Sequence, residues 1–138
     1  MGIIYSQEEN LNKAVEHLQH AVSLNPKYGP SRYRLGSIYL QQQEYSKAIE
    51  ELNKAASLIG NEPSIHYALG NAYMAIGKLS NAITSYNETL RLDPRRADVH
   101  DKLGLTYTEQ SHALLGAKMA DQNKLAMAVK EHKQAIEI

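Results

Sequence analysis

The chain has 138 residues, 43% of them hydrophobic, and no cysteine. Its 15 basic and 15 acidic side chains cancel, which argues against a one-signed field for nucleic acid or an anionic membrane. The missing thiols exclude disulfides, thiolate metal sites and a cysteine nucleophile. The length suits one domain or a short repeat array. No apolar run approaches the roughly 18 residues of a membrane span. Met1 to Tyr5 lack the basic flank of a secretion signal. The expectation is a soluble protein, cytoplasmic by default, although a thiol-free chain also suits an exported compartment.

Taken in chain order, the apolar periodicity predicts helices at about 1–8 and 11–24, 29–42 and 45–58, 63–76 and 79–92, then 97–119 and 123–137. Ala48, Ile49, Leu52, Ala55 and Ala56 illustrate the spacing, which gives one buried face. Gln42-Gln43-Glu44 and Ile76-Gly77-Lys78 are expected to turn the chain inside a pair. Asn25-Pro26-Lys27 and Asp93-Pro94-Arg95 are expected to separate pairs, because proline cannot continue a helix interior.

The elements repeat. Gly2, Gly36, Gly70 and Gly104 recur at intervals of 34, as do Tyr5, Tyr39, Tyr73 and Tyr107. Ala14, Ala48 and Ala82 keep the step, and so do Leu18, Leu52 and Tyr86. A glycine inside a helix costs about 0.5–1 kcal/mol relative to alanine. Four of them in register therefore imply a close helix contact that compensates. In the last unit the step fails until a shift of 12 aligns Ala128, Val129, Ala135 and Ile138 with Ala82, Ile83, Thr89 and Leu92. The units run at about 1–28, 29–62, 63–96 and 97–138, with an insertion of about 12 residues within 111–123. They form a single array over 1–138. The first unit is truncated at its N-terminal side and the last is incomplete. Neither end has a polar capping helix. That reads as a segment of a longer array, or as an open stack that associates through its ends.

The pattern Tyr33-x-Leu35-Gly36-x-x-Tyr39, Tyr45-x-x-Ala48, Leu52, Ala55 resembles the tetratricopeptide repeat, and Tyr67-x-Leu69-Gly70-x-x-Tyr73, Ala82, Tyr86, Pro94 repeats it. Arg32, His66 and His100 stand where the family has a bulky aromatic. The resemblance implies an all-α, right-handed α-solenoid of antiparallel helix pairs, with the first helix of each pair lining a concave side. It places Ile3, Ser6 and Gln7 of the first unit inward. Further along, the implied groove for a protein or peptide consists of Tyr33, Ser37, Leu40, Tyr67, Asn71, Met74, Asp98, Asp101 and Leu105. Tyr33, Tyr67 and Met74 would offer apolar area. Asn71 would pair with a peptide backbone. The acids would favour a basic segment. The competing reading has Tyr33, Tyr67, Leu40 and Met74 packed against neighbouring helices. Some family members grip a partner's C-terminal carboxylate. The matching places here hold Tyr33, Ser37, Ala68, Asp98 and Lys102, and only the last suits a carboxylate.

Other reactive residues carry little. His17 and His20 lie three apart on one helix face, a metal-compatible spacing without a third ligand, so a solvated face is expected. His66 and His100 fall in a packing column, and His112 lies in the insertion. Asn87-Glu88-Thr89 fits a glycosylation acceptor but falls mid-helix. No catalytic residue, metal or cofactor is assigned, and no enzyme activity is expected. The insertion, with Leu114, Leu115 and Met119, is expected to continue the helix. It would either pack over the open end of the stack, the preferred reading, or serve self-association. The leading functional expectation is a protein-interaction scaffold. The alternative is a non-catalytic regulatory or positioning region of a larger enzyme or assembly.

Overall fold

The computed structural model describes residues 2–137, with side chains at 8–124 and at 126. It contains six helices: α1 Gly2–Leu24, α2 Gly29–Gln41, α3 Tyr45–Ile59, α4 Pro63–Ala75, α5 Leu79–Leu92 and α6 Ala97–Glu137. Among the described residues there is no strand. The most extensive contacts join α2 to α3 and α4 to α5. Then α1 packs on α2, α3 on α4 and α5 on α6. Each element therefore touches its sequence neighbours, as in a solenoid of stacked pairs.

Three-residue turns close the two central pairs. Gln43 and Gly77, one repeat apart, both take a left-handed backbone, at φ 61° and 78°. The Glu44 N–H donates to the Tyr39 carbonyl at 2.8 Å, and the Lys78 N–H to the Tyr73 carbonyl at 2.9 Å. The Gln43 and Gly77 N–H groups reach Leu40 and Met74 at 3.0 and 3.1 Å. This doubled bonding satisfies the last carbonyls of each first helix.

The outer units differ from expectation. Instead of separate helices at 1–8 and 11–24, α1 is continuous. Instead of 97–119 and 123–137, α6 runs unbroken for 41 residues. The turn places there hold Glu8-Glu9-Asn10 and Gln122-Asn123-Lys124. Neither triplet contains glycine or proline, and Gln42-Gln43-Glu44, which also lacks them, turns where α3 packs back on α2. The insertion does continue the helix, but it does not cover the end of the stack. Every residue from Ser111 to Lys124 is exposed. The expectations placed on the side chains of Gly2, Ile3, Tyr5, Ser6, Gln7, Ala128, Val129, His132 and Ala135 lie outside the described residues.

The core lies between helices that meet at the repeat glycines. A Cβ on Gly36 would stand 2.7 Å from Leu52 Cγ, and one on Gly70 would stand 2.5 Å from Tyr86 Cε1. Leu52 and Tyr86 are fully buried. Around them two clusters form, one with Leu35, Tyr39, Ala48, Ala55, Ile65 and Leu69, the other with Ala82, Val99 and Leu103. Gly104 breaks the rule: nothing lies within 4 Å of its Cβ position. The compensating contact inferred for all four glycines is therefore absent at Gly104 among the described residues.

Polar side chains tie successive units together. Gln19 donates to the Tyr39 hydroxyl at 2.9 Å, and Asn53, one repeat later, donates to Tyr73 at 3.3 Å. The aromatic-replacing column also works by hydrogen bonds. Arg32 Nε donates to the Pro26 carbonyl at 2.8 Å, and His100 Nε2 lies 3.2 Å from the Pro94 carbonyl. Arg32 additionally pairs with Glu51 at 3.0 Å, with side chains only 12% and 15% exposed.

Two outcomes are expected from urea unfolding followed by circular dichroism. Gly36→Ala and Gly70→Ala each destabilise the chain by about 1–3 kcal/mol through overpacking, whereas Gly116→Ala, in open space, stabilises it by about 0.5–1 kcal/mol through helix propensity. Arg32→Ala costs about 1–3 kcal/mol by leaving Glu51 without its partner, and adding Glu51→Gln recovers part of that loss.

Candidate functional site

The first helices α2 and α4 and the start of α6 present corresponding positions one repeat apart: Tyr33, Tyr67 and Asp101 in one row, Ser37, Asn71 and Leu105 in the next. Their surroundings change along the array. Tyr33 and Leu40 are partly buried against the first core cluster. Tyr67 and Met74 pack in the same way against the second. For these four the packing reading describes their position, and none is a fully solvated groove residue.

Hydrogen bonds fix several of the remaining side chains. Ser37 Oγ donates to the Tyr33 carbonyl at 2.9 Å. The Tyr86 hydroxyl, arriving from α5, donates to Asn71 Oδ1 at 2.6 Å. Thr106 Oγ1 lies 3.5 Å from Met74 Sδ and donates to the Lys102 carbonyl at 2.7 Å. Asn71 and Met74 are thus held from behind by the second helix and the next unit. Periodicity had no means of showing those links.

The acidic end is less acidic than its sequence suggests. Asp98 pairs with Arg96 at 3.0 Å. The Arg96 hydrogen bond holds the Asp98 carboxyl below the usual carboxylate range. Arg96 also lies 4.5 Å from the centre of the Tyr67 ring, and Lys102 lies 5.7 Å from it. The Tyr67 ring is thus already engaged with two cations. Asp101 and Leu105 remain exposed, Leu105 by 60%. Spacings of three and four place Asp98, Asp101 and Leu105 on one helix face.

Two cavities lie away from this strip. One, of about 610 Å³, opens between α1 and the α2–α3 turn and is lined by Leu11, Val15, Tyr39 and Lys47 among others. The second, about 440 Å³, is lined by Asn53, His66, Tyr73, Ser85 and Glu88. Sequence reasoning gave neither, because each combines residues from different units. His17 and His20 are exposed. No group of three or more metal-ligating side chains gathers among the described residues. No helix among them is long and apolar enough to cross a membrane.

Burial, reinforced by nearby Tyr67, pushes the Tyr86 hydroxyl up to about 12 from an ordinary value of 10.0. The fold thus prefers the protonated phenol more strongly than the unfolded chain does. That share of stability is complete below pH 10 and drains away as pH rises toward 12. Tyr86→Phe is expected to lower stability at neutral pH by about 0.5–1.5 kcal/mol through loss of the Asn71 bond, and to flatten the decline at high pH. Thermal melts at several pH values, with tyrosinate absorbance as the titration readout, measure both effects.

Sequence and structure comparisons fit this architecture. A family profile described as TPR repeat matches residues 36–77 and 70–111, more than half of the chain, and another described as tetratricopeptide repeat matches 1–28. The search of curated proteins gives no match. Among solved structures, a crystal structure of MamA superposes with a TM-score of 0.73 at 24% identity, covering 80% of this chain and 65% of that one. MamA from Desulfovibrio magneticus RS-1 gives 0.72 at 24% identity, covering 86% and 67%. The first TPR of Spaghetti (RPAP3), solved bound to the HSP90 peptide SRMEEVD, gives 0.72 at 19% identity, covering 80% and 87%. The chain spans less than two thirds of the first MamA chain, and at these identities the likeness concerns the fold. With Gly36 and Gly70 seated against second helices and its profile matches in the same register, the chain belongs to the tetratricopeptide repeat family.

Proposed function

We propose that this chain is a protein-interaction scaffold that holds a peptide or helix of a partner along the face made by α2, α4 and the first turns of α6. The repeat family and the fold support a scaffold role. The observation that carries the placement is Leu105, a large apolar side chain 60% exposed on the same face as Asp98 and Asp101. An exposed leucine one turn after Asp101 suits an amphipathic partner that brings one apolar side chain and a basic group. Tyr67 contributes a wall stiffened by Arg96 and Lys102, and Asn71 adds a polar contact.

Recognition of a terminal carboxylate is disfavoured. Of the five matching places only Lys102 is cationic, it lies over Tyr67, and Asp98 would repel an anion. The RPAP3 domain was solved with an HSP90 peptide, and this chain lacks the charge pattern that would make the same ligand the first choice.

Selection of binders from a displayed library of random peptides tests the reading. Peptides carrying a leucine-like anchor and a basic residue are expected to be enriched. Leu105→Asp and Asp101→Lys are each expected to weaken the selected peptides by about tenfold or more. Both residues are exposed, so melting temperatures should stay close to the parent value. Selected peptides that bind both variants as tightly as the parent would place the site elsewhere.

A further inference from the structure

Gly104 is the one described repeat glycine with an empty seat. Gly36 is met by Leu52 and Gly70 by Tyr86, in each case a residue 16 positions later on the returning helix. The 12-residue insertion moves the corresponding place in the last unit to His132, 28 positions after Gly104. The segment that matches the missing helix is therefore present in the sequence. Ala128 stands for Ala82, Val129 for Ile83 and Ala135 for Thr89. It does not fold back onto that seat, because α6 is one continuous helix from Ala97 to Glu137. At about 1.5 Å per residue, Ala128 lies about 36 Å along the axis from Gly104.

We propose that a second copy of the chain fills the seat: residues 124–137 of each protomer lie against Gly104 of the other, in an antiparallel exchange of the last repeat's second helix. The geometry is self-consistent. Setting Gly104 against the span from Ala128 to His132, as Gly36 is set against the span from Ala48 to Leu52, places the two-fold axis between positions 116 and 118 of α6. Tyr107, Leu114 and Ala117 follow one another at sums of three and four residues, so they form a single stripe along the helix, and the spacing of Leu125 and Ala128 in the sequence continues the same step. Tyr107 and Leu114 are 47% and 66% exposed within the chain. Exchange of an identical element is a low-cost route to a dimer, and a closed two-fold leaves no open seat to propagate.

The mass in solution gives the first test. Light scattering on the full chain at micromolar concentration is expected to report twice 15.4 kDa. A mass of one chain would overturn the proposal. Gly104→Met then separates exchange from other association. The new Cβ meets open space among the described residues, and the side chain beyond it would occupy the place of the incoming helix. It is expected to weaken dimerisation by about tenfold or more while helicity is retained. An unchanged dimer would sink the exchange. Since the chain has no cysteine, Ala117→Cys reports directly on the axis. Mild oxidation should link it rapidly into a disulfide dimer, and the exposed Ser57→Cys should not react in this way. Equal rates for the two variants would also overturn the proposal.

Discussion

A single steric requirement organises this molecule: a second helix must come close enough to touch the backbone of the first. Gly36 and Gly70 meet that requirement by having no side chain, and Leu52 and Tyr86 occupy the space released. A fully buried side chain held at this distance makes dozens of weak contacts at once. Those contacts offset the conformational freedom that glycine loses in a helix. The left-handed turns at Gln43 and Gly77 serve the same approach by reversing the chain within three residues. Where the approach fails, at Gly104, the chain has no turn either, and it runs on as an extended helix.

Much of this was legible in the residues. The 34-residue step located the central helices within about one residue of their observed ends, because glycine, alanine and proline mark close contacts and stops by chemistry that needs no tertiary context. The two outer units were less legible. Glu8-Glu9-Asn10 and Gln122-Asn123-Lys124 align with turns, yet they are compatible with helix, and only a partner helix would decide between the two. Alignment identifies equivalent positions, whereas a turn also needs an equivalent neighbour.

The candidate surface shows the same boundary. Periodicity assigned Tyr33, Tyr67 and Leu105 correctly to first helices, but it could not rank their exposure. Exposure depends on what the following unit places in front of them. Tyr67 is engaged by Arg96 and Lys102 from the next unit, whereas Leu105 stays 60% exposed among the described residues. The roles of Arg32 and His100 were equally hidden. Their column suggested packing, and they instead hold the carbonyls of Pro26 and Pro94. A hydrogen bond to a backbone carbonyl six residues earlier depends on how the loop folds, and side-chain spacing does not encode it.

The bond from Tyr86 to Asn71 joins two tasks that are usually kept apart. Tyr86 fills the Gly70 contact, and its hydroxyl ends on a side chain of the candidate recognition surface. A ligand that drew Asn71 outward would have to lengthen or break that bond, and a ligand that left it in place would brace the helix pair. Grip on the outside and cohesion on the inside would then be linked, each altering the other by the same free energy. The repeat would act as a small lever with its fulcrum at one phenol.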